Sequence, residues 1–300
     1  MEYWIPLTII AAFLQNLRST LQKSIQPQLG TRGATYVRFA FGTPVALVLL
    51  VSLLRWRGDT LPTPTFAFLS FSLVGGLAQV LATGFLLASF RSRHFAAGIA
   101  YSKTEPLLAA VFGLIVLGET IPARGTAALL LGTVAVLVLT MGSKALQPRL
   151  WSSLFRDRGA VLGILAGAGF GLAAVCYRGA GLSLESGDVL LRALFTLACV
   201  LSLQTIFMTG EMAIRAPGTF RKIARHWQHG AAVGLVGACA SAGWFTASLM
   251  ANAAYVRALG QVELVFAIGS SVLLFGERLQ RHEVLGIGLL GFALFALLAT

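Results

Sequence analysis

The chain has 300 residues, of which 57% are hydrophobic and 11% charged, with a mean hydropathy of +0.81. Soluble domains carry about 25% charged residues, so the composition excludes a soluble globular protein and points to an integral membrane protein. A formal charge of +12 would suggest nucleic acid in a soluble chain, but most basic residues here flank apolar stretches. Anionic headgroups and topology account for them there, and no nucleic-acid partner is expected.

The N-terminal Met1-Glu2-Tyr3-Trp4 lacks a basic segment, and the apolar stretch after it has no small-residue cleavage site. No cleavable signal peptide is therefore expected. A bilayer core needs about 20 apolar residues per helix. Ten spans meet that length, roughly 4–25, 33–54, 66–89, 96–117, 124–141, 158–180, 188–209, 230–253, 255–275 and 282–299. Most connections are short. Residues 142–157 form the natural linker, which divides the chain into halves at 1–141 and 158–300. Residues 210–229 carry Arg215, Arg221, Lys222 and Arg225 with Phe220, Ile223 and Trp227. They read equally well as a basic amphipathic helix on the membrane surface or as a solvated loop.

The two halves share a sequence. Residues 105–119 read EPLLAAVFGLIVLGE and residues 263–277 read ELVFAIGSSVLLFGE. At an offset of 158 they agree at Glu105/Glu263, Ala109/Ala267, Gly118/Gly276 and Glu119/Glu277. Val37-Arg38-Phe39 resembles Leu191-Arg192-Ala193, and Lys23 parallels Arg178. An odd number of crossings per half inverts the second half relative to the first. The expected fold is thus all-α, with ten transmembrane helices as two inverted five-helix repeats. Gly163, Gly167 and Gly171 recur every fourth residue, as do Gly230, Gly234, Ala238 and Ala242. Such spacing makes one flat face for close helix packing.

Ionisable residues inside a bilayer cost about 2.5–3.5 kcal/mol each on insertion scales and usually face a cavity or a partner. Glu105 and Glu263 each lie 14 residues before their Gly-Glu, about 21 Å along a helix, and so well inside the membrane. Two roles stand open for them: a proton carrier, or an ion pair with Arg38, Arg192, Lys103 or Arg257. Lys103 and Glu105 are two apart and cannot face each other on one helix, so at least one needs a partner elsewhere. Arg38, Lys103 and Arg192 offer positive charge to a substrate carboxylate, and Tyr101 and Trp244 are the aromatic candidates for a pocket. Glu119 and Glu277, at helix ends, read as structural. Cys176, Cys199 and Cys239 sit singly in apolar runs without disulfide or zinc spacing. His226 and His229 make a weak metal pair. No phosphate-binding loop, nucleophile elbow or cytochrome pattern occurs, so no enzyme, metal or cofactor is expected.

The doubled pattern of apolar helix, Gly-Glu, polar break and Gly-rich helix runs from Gly118-Glu119 through Gly132 and from Gly276-Glu277 through Gly288. It resembles the EamA-type members of the drug/metabolite transporter superfamily over nearly the whole chain. That resemblance implies a secondary transporter of the cytoplasmic (inner) membrane. It would export a small metabolite such as an amino acid by alternating access, with the proton as a candidate coupling ion. An uptake carrier or facilitator, and a non-transporting scaffold or sensor, are the alternatives. Family members carry a proline in the fourth and ninth spans. Pro106 fits the first, but Leu264 stands at the matching place in the second, so a one-sided bend is expected. The family is drawn with both termini cytoplasmic. The loops carrying Arg91, Arg93, Lys144, Arg149, Arg156, Arg158, Arg278 and Arg281 argue for the opposite orientation.

Overall fold

The computed structural model describes residues 2–89, 100–141, 158–275 and 279–299. Described residues form helices and turns, with no strand among them. The helices are α1 (Trp4–Ala40), α2 (Gly42–Arg57), α3 (Phe66–Ser89), α4 (Glu105–Leu117), α5 (Ala123–Met141), α6 (Arg158–Leu182), α7 (Val189–Arg215), α8 (Gly218–Arg225), α9 (Trp227–Met250), α10 (Ala253–Leu259), α11 (Glu263–Phe275) and α12 (Arg281–Leu298). Among the described residues, eight helical stretches are long and apolar enough to cross a membrane, with Trp4–Arg57 counted as one. This makes the chain a multi-pass helical membrane protein. The linker expected at 142–157 lies outside the described residues.

Proline and glycine decide where the long N-terminal stretch breaks. Gly30 has φ 67 and ψ 172, which no helix accommodates. The chain reverses there. Gln22 donates from Nε2 to the Ala34 carbonyl at 2.8 Å, whereas a continuous helix would hold those residues about 18 Å apart. A second interruption falls at Phe41, between α1 and α2. Pro44 lacks the N–H that would bond the Ala40 carbonyl, so the ladder fails at that turn.

The chain divides into two compact units, each taking segments from before and after the 142–157 linker. The first comprises residues 1–76 and 177–250. One of its cores joins Phe39, Ala46 and Leu50 to Leu191, Leu194, Leu197 and Leu201. Another joins Ile25, Leu29 and Val37 to Met212, Ile223 and Val233. Here residues 210–229 resolve into the end of α7, the short helix α8 and the start of α9. The helical reading of this stretch therefore holds in place of the loop. Ile223 is buried, and Phe220 meets Tyr36 edge-on at 5.8 Å between ring centroids.

The second unit comprises residues 77–176 and 251–300. Ala109, Ala128, Leu129, Ala174, Val175, Ala253, Ala254 and Leu297 form one of its cores. Residues this small let helices approach to backbone contact, which supplies packing where lipid removes any hydrophobic drive.

Candidate functional site

The second unit contains two interrupted helices, and each resumes on a glutamate. Residues 100–102 are helical, Lys103 and Thr104 form a turn, and α4 begins at Glu105. Pro106 occupies the first turn of α4, where its missing N–H breaks no bond. It therefore starts a helix rather than bending one. In the second half α10 ends at Leu259, a 3₁₀ turn covers Gly260–Val262, and α11 begins at Glu263. The expected one-sided bend is thus corrected, because both segments break and the second does so through Gly260 without a proline. The backbone stays right-handed helical through both stretches, and the N–H groups of Lys103, Thr104 and Glu263 bond carbonyls three residues back, so each interruption is a tightened turn.

The two glutamates find their cations across the break. Glu105 Oε1 lies 3.2 Å from Arg257 Nε, and Glu263 Oε1 is bonded by Lys103 Nζ. The four side chains are 14–19% exposed. Two cations and two anions leave the group neutral. Each of Lys103 and Glu105 has its ion-pair partner elsewhere, as their spacing requires. Helices α4 and α10 pack against each other, which holds the Glu105–Arg257 pair.

Glycines on α6 place this break. A Cβ at Gly167 would stand 2.8 Å from the Ser102 carbonyl oxygen, and one at Gly171 would stand 2.9 Å from the Ala109 nitrogen. Only a bare backbone lets α6 lie against the interrupted segment. The small-residue face read from the sequence therefore seats the start of α4.

A cavity of about 10 Å³ adjoins the group, room for about a single water. Lys103, Pro106, Thr133, Ala258 and Gln261 line it together with apolar residues of α5 and α12. Gln261 stands at the repeat position of Lys103. Its Oε1 is buried and accepts no hydrogen bond among the described residues. Buried acceptors are normally satisfied, so this oxygen calls for a donor from water or a ligand. In the sequence Gln261 is one uncharged polar residue in an apolar span. The 158-residue offset from Lys103 was the signal available.

Other candidates fall elsewhere. Tyr101 is buried among Ala100, Leu137, Val138 and Ala160, and its carbonyl accepts from the Thr104 hydroxyl at 2.7 Å. In the first unit, Trp244 is buried in α9 and Arg38 is half-buried with its guanidinium 5.0 Å from the Phe39 ring centroid. The stems of Arg38 and Arg18 both approach Gly237. Arg192, read from the sequence as a match for Arg38, holds a loop instead. It donates from Nε to the Gly187 carbonyl at 2.8 Å. Beside it Asp188 caps α7 by accepting from Leu191 N–H at 2.9 Å and receives a 2.6 Å bond from Arg57. Burial works to raise its pKa, but the Leu191 N–H and the Arg57 and Arg192 charges outweigh it and hold the carboxyl below its usual range.

Gly118 is the left-handed C-cap of α4, with φ 68. Glu119 N–H then reaches back to the Gly113 carbonyl at 3.1 Å. A Gly-Glu pair here is a helix stop made of backbone geometry. Gly276 and Glu277, its counterparts, lie outside the described residues. Neither a protein-family model nor a curated protein matches the sequence. A solved structure described only as the crystal structure of a protein superposes with a TM-score of 0.69 over 98% of each chain. The two sequences are 15% identical, and the likeness is one of fold alone.

Proposed function

We propose that this protein is a secondary transporter of the inner membrane, of the EamA type within the drug/metabolite transporter superfamily. In this reading it exports a small polar metabolite, such as an amino acid, by alternating access. The observation that carries it is the pair of interrupted helices, each restarting on a glutamate and cross-paired with a cation inside an apolar chain. Discontinuous helices are the usual means of building polar sites at membrane depth. Reading Gly30 as a reversal and the two broken segments as single crossings brings the count to ten spans in two five-helix repeats. Lys103 and Gln261 then present a donor and an acceptor to the substrate, and Glu105 and Glu263 release their cations, or take up a proton, as the site opens.

The small volume beside Lys103 favours a second reading, a packed scaffold in which the charges are purely structural. Flux in proteoliposomes distinguishes the two. The transporter reading expects uptake of labelled amino acids or other metabolites into loaded vesicles, and its loss in Glu105→Gln with insertion and folding retained. A proton gradient tests the coupling ion, and wild-type flux by Glu105→Gln at every pH removes the proton role. No flux and no ligand-induced thermal shift across a metabolite screen would leave the scaffold reading.

A further inference from the structure

Helix α8 spends its apolar face on the protein. Ile223 is buried and Phe220 half-buried in the core that includes Ile25, Leu29 and Met212, and Thr219 is half-buried against Gly33. At about 100° per residue, Arg221, Lys222 and Arg225 fall within about 100° of one another on the opposite side, and all three are exposed. The same end of the unit holds Arg32 and Arg215, which lie 3.9 and 3.8 Å from Glu211. These five cations against one carboxylate leave a net charge of +4. Below Arg215, the outer face of α7 carries a shallow, open groove lined by Ile206, Phe207, Gly210, Glu211, Ile214 and Arg215. Gly210 opens it, since a Cβ there would meet nothing within 4 Å. From Ile206 to Ile214 the groove runs about 12 Å along the helix, apolar at Ile206, Phe207 and Ile214 and charged toward its end, where Glu211 and Arg215 stand. Trp227, 55% exposed, stands just beyond α8, the kind of residue found at membrane interfaces.

We infer that this face holds an anionic phospholipid, with one acyl chain along the α7 groove and the phosphate between Arg215 and the basic face of α8. The apolar groove selects a lipid over a free anion. The net +4 selects an anionic headgroup over a zwitterionic one. This site is independent of the transport reading, because it needs only that the helices lie in a bilayer.

The test is native mass spectrometry and thermal melting of the detergent-purified protein with added phosphatidylglycerol, phosphatidylcholine or inorganic phosphate. Phosphatidylglycerol is expected to remain bound and to raise the melting temperature saturably, while the other two do neither. Each basic residue near the headgroup contributes about fivefold in affinity, so the triple variant Arg221→Gln/Lys222→Gln/Arg225→Gln should bind about a hundredfold more weakly. Gly210→Trp, which fills the groove, should lose the bound lipid while its lipid-free melting temperature stays near wild type. Equal binding of phosphatidylcholine, full retention by either variant, or the same shift with inorganic phosphate would overturn the proposal.

Discussion

Removing one charge of the Lys103–Glu263 pair is the sharpest test of how the interrupted helices are held. Both side chains are four-fifths buried, at 19% exposure each. Deleting one partner of a fully buried pair costs about 3–5 kcal/mol, because the other charge is left behind. Here both side chains keep some exposure, and when Glu263 is the one removed Glu105 still acts on Lys103. The expected cost is therefore lower, about 2 kcal/mol for either Lys103→Met or Glu263→Leu. The double variant restores neutrality with apolar side chains of similar bulk and should lie within about 1 kcal/mol of wild type. Simple addition would give about 4 kcal/mol, so the coupling is about 3 kcal/mol. Reversible unfolding in mixed detergent–SDS micelles, followed by helix content, measures all four corners of the cycle. An additive double variant would refute the pairing. Proteoliposome flux on the same double variant then separates roles. A stable but inactive protein identifies the charges as part of transport, and a stable active one identifies them as structural.

Further outcomes follow from the geometry at four positions. Gly118→Ala should destabilise by about 1–2 kcal/mol in a thermal or SDS melt, because its φ of 68 is left-handed while the space around it is open. Gly171→Ala should cost about 1–3 kcal/mol and lower any flux, because its Cβ would press on the Ala109 nitrogen and the Glu105 carbonyl. Gly237→Ala should be milder, because its tightest neighbour is the Arg18 side chain at 3.1 Å, which can move. At Asp188, Asn still caps α7, so Asp188→Asn should lose only the exposed Arg57 pair, about 0.2–1 kcal/mol, while Asp188→Ala should lose about 1 kcal/mol more. The folded carboxyl titrates below its unfolded value. Its contribution is therefore present above about pH 4 and fades as pH falls through the folded pKa. The stability gap between wild type and Asp188→Asn should close on that side only.

Much of the site was legible because buried charge is rare in an apolar chain. Glu105, Glu263, Lys103 and Arg257 all stood out, and the offset of 158 related the two glutamates before any fold was known. Which cation belonged to which anion was not legible. Arg38 and Arg192 matched each other in sequence as well as any pair did, yet Arg192 holds the Gly187 carbonyl. Pairing depends on side chains meeting across helices, and one-dimensional spacing carries no such distance. The break at Gly260–Val262 was equally hidden. Without a proline there, the run from Tyr255 to Phe275 reads as one apolar helix.

The sequence by itself determined that this is a helical membrane protein, where most spans lie, and that its polar groups gather in two related segments. Those conclusions follow from hydropathy and periodicity, which are local properties. Tertiary structure decided the rest: that the chain reverses at Gly30, that α8 turns its basic face outward, and that each glutamate begins a helix. It also decided that the compact units cut across the two sequence halves. The reversal is settled by the backbone at Gly30 itself, and most of the other features by contacts between residues more than a hundred positions apart. In lipid such contacts rest on close backbone approach and charge pairing rather than on an apolar stripe the sequence could display.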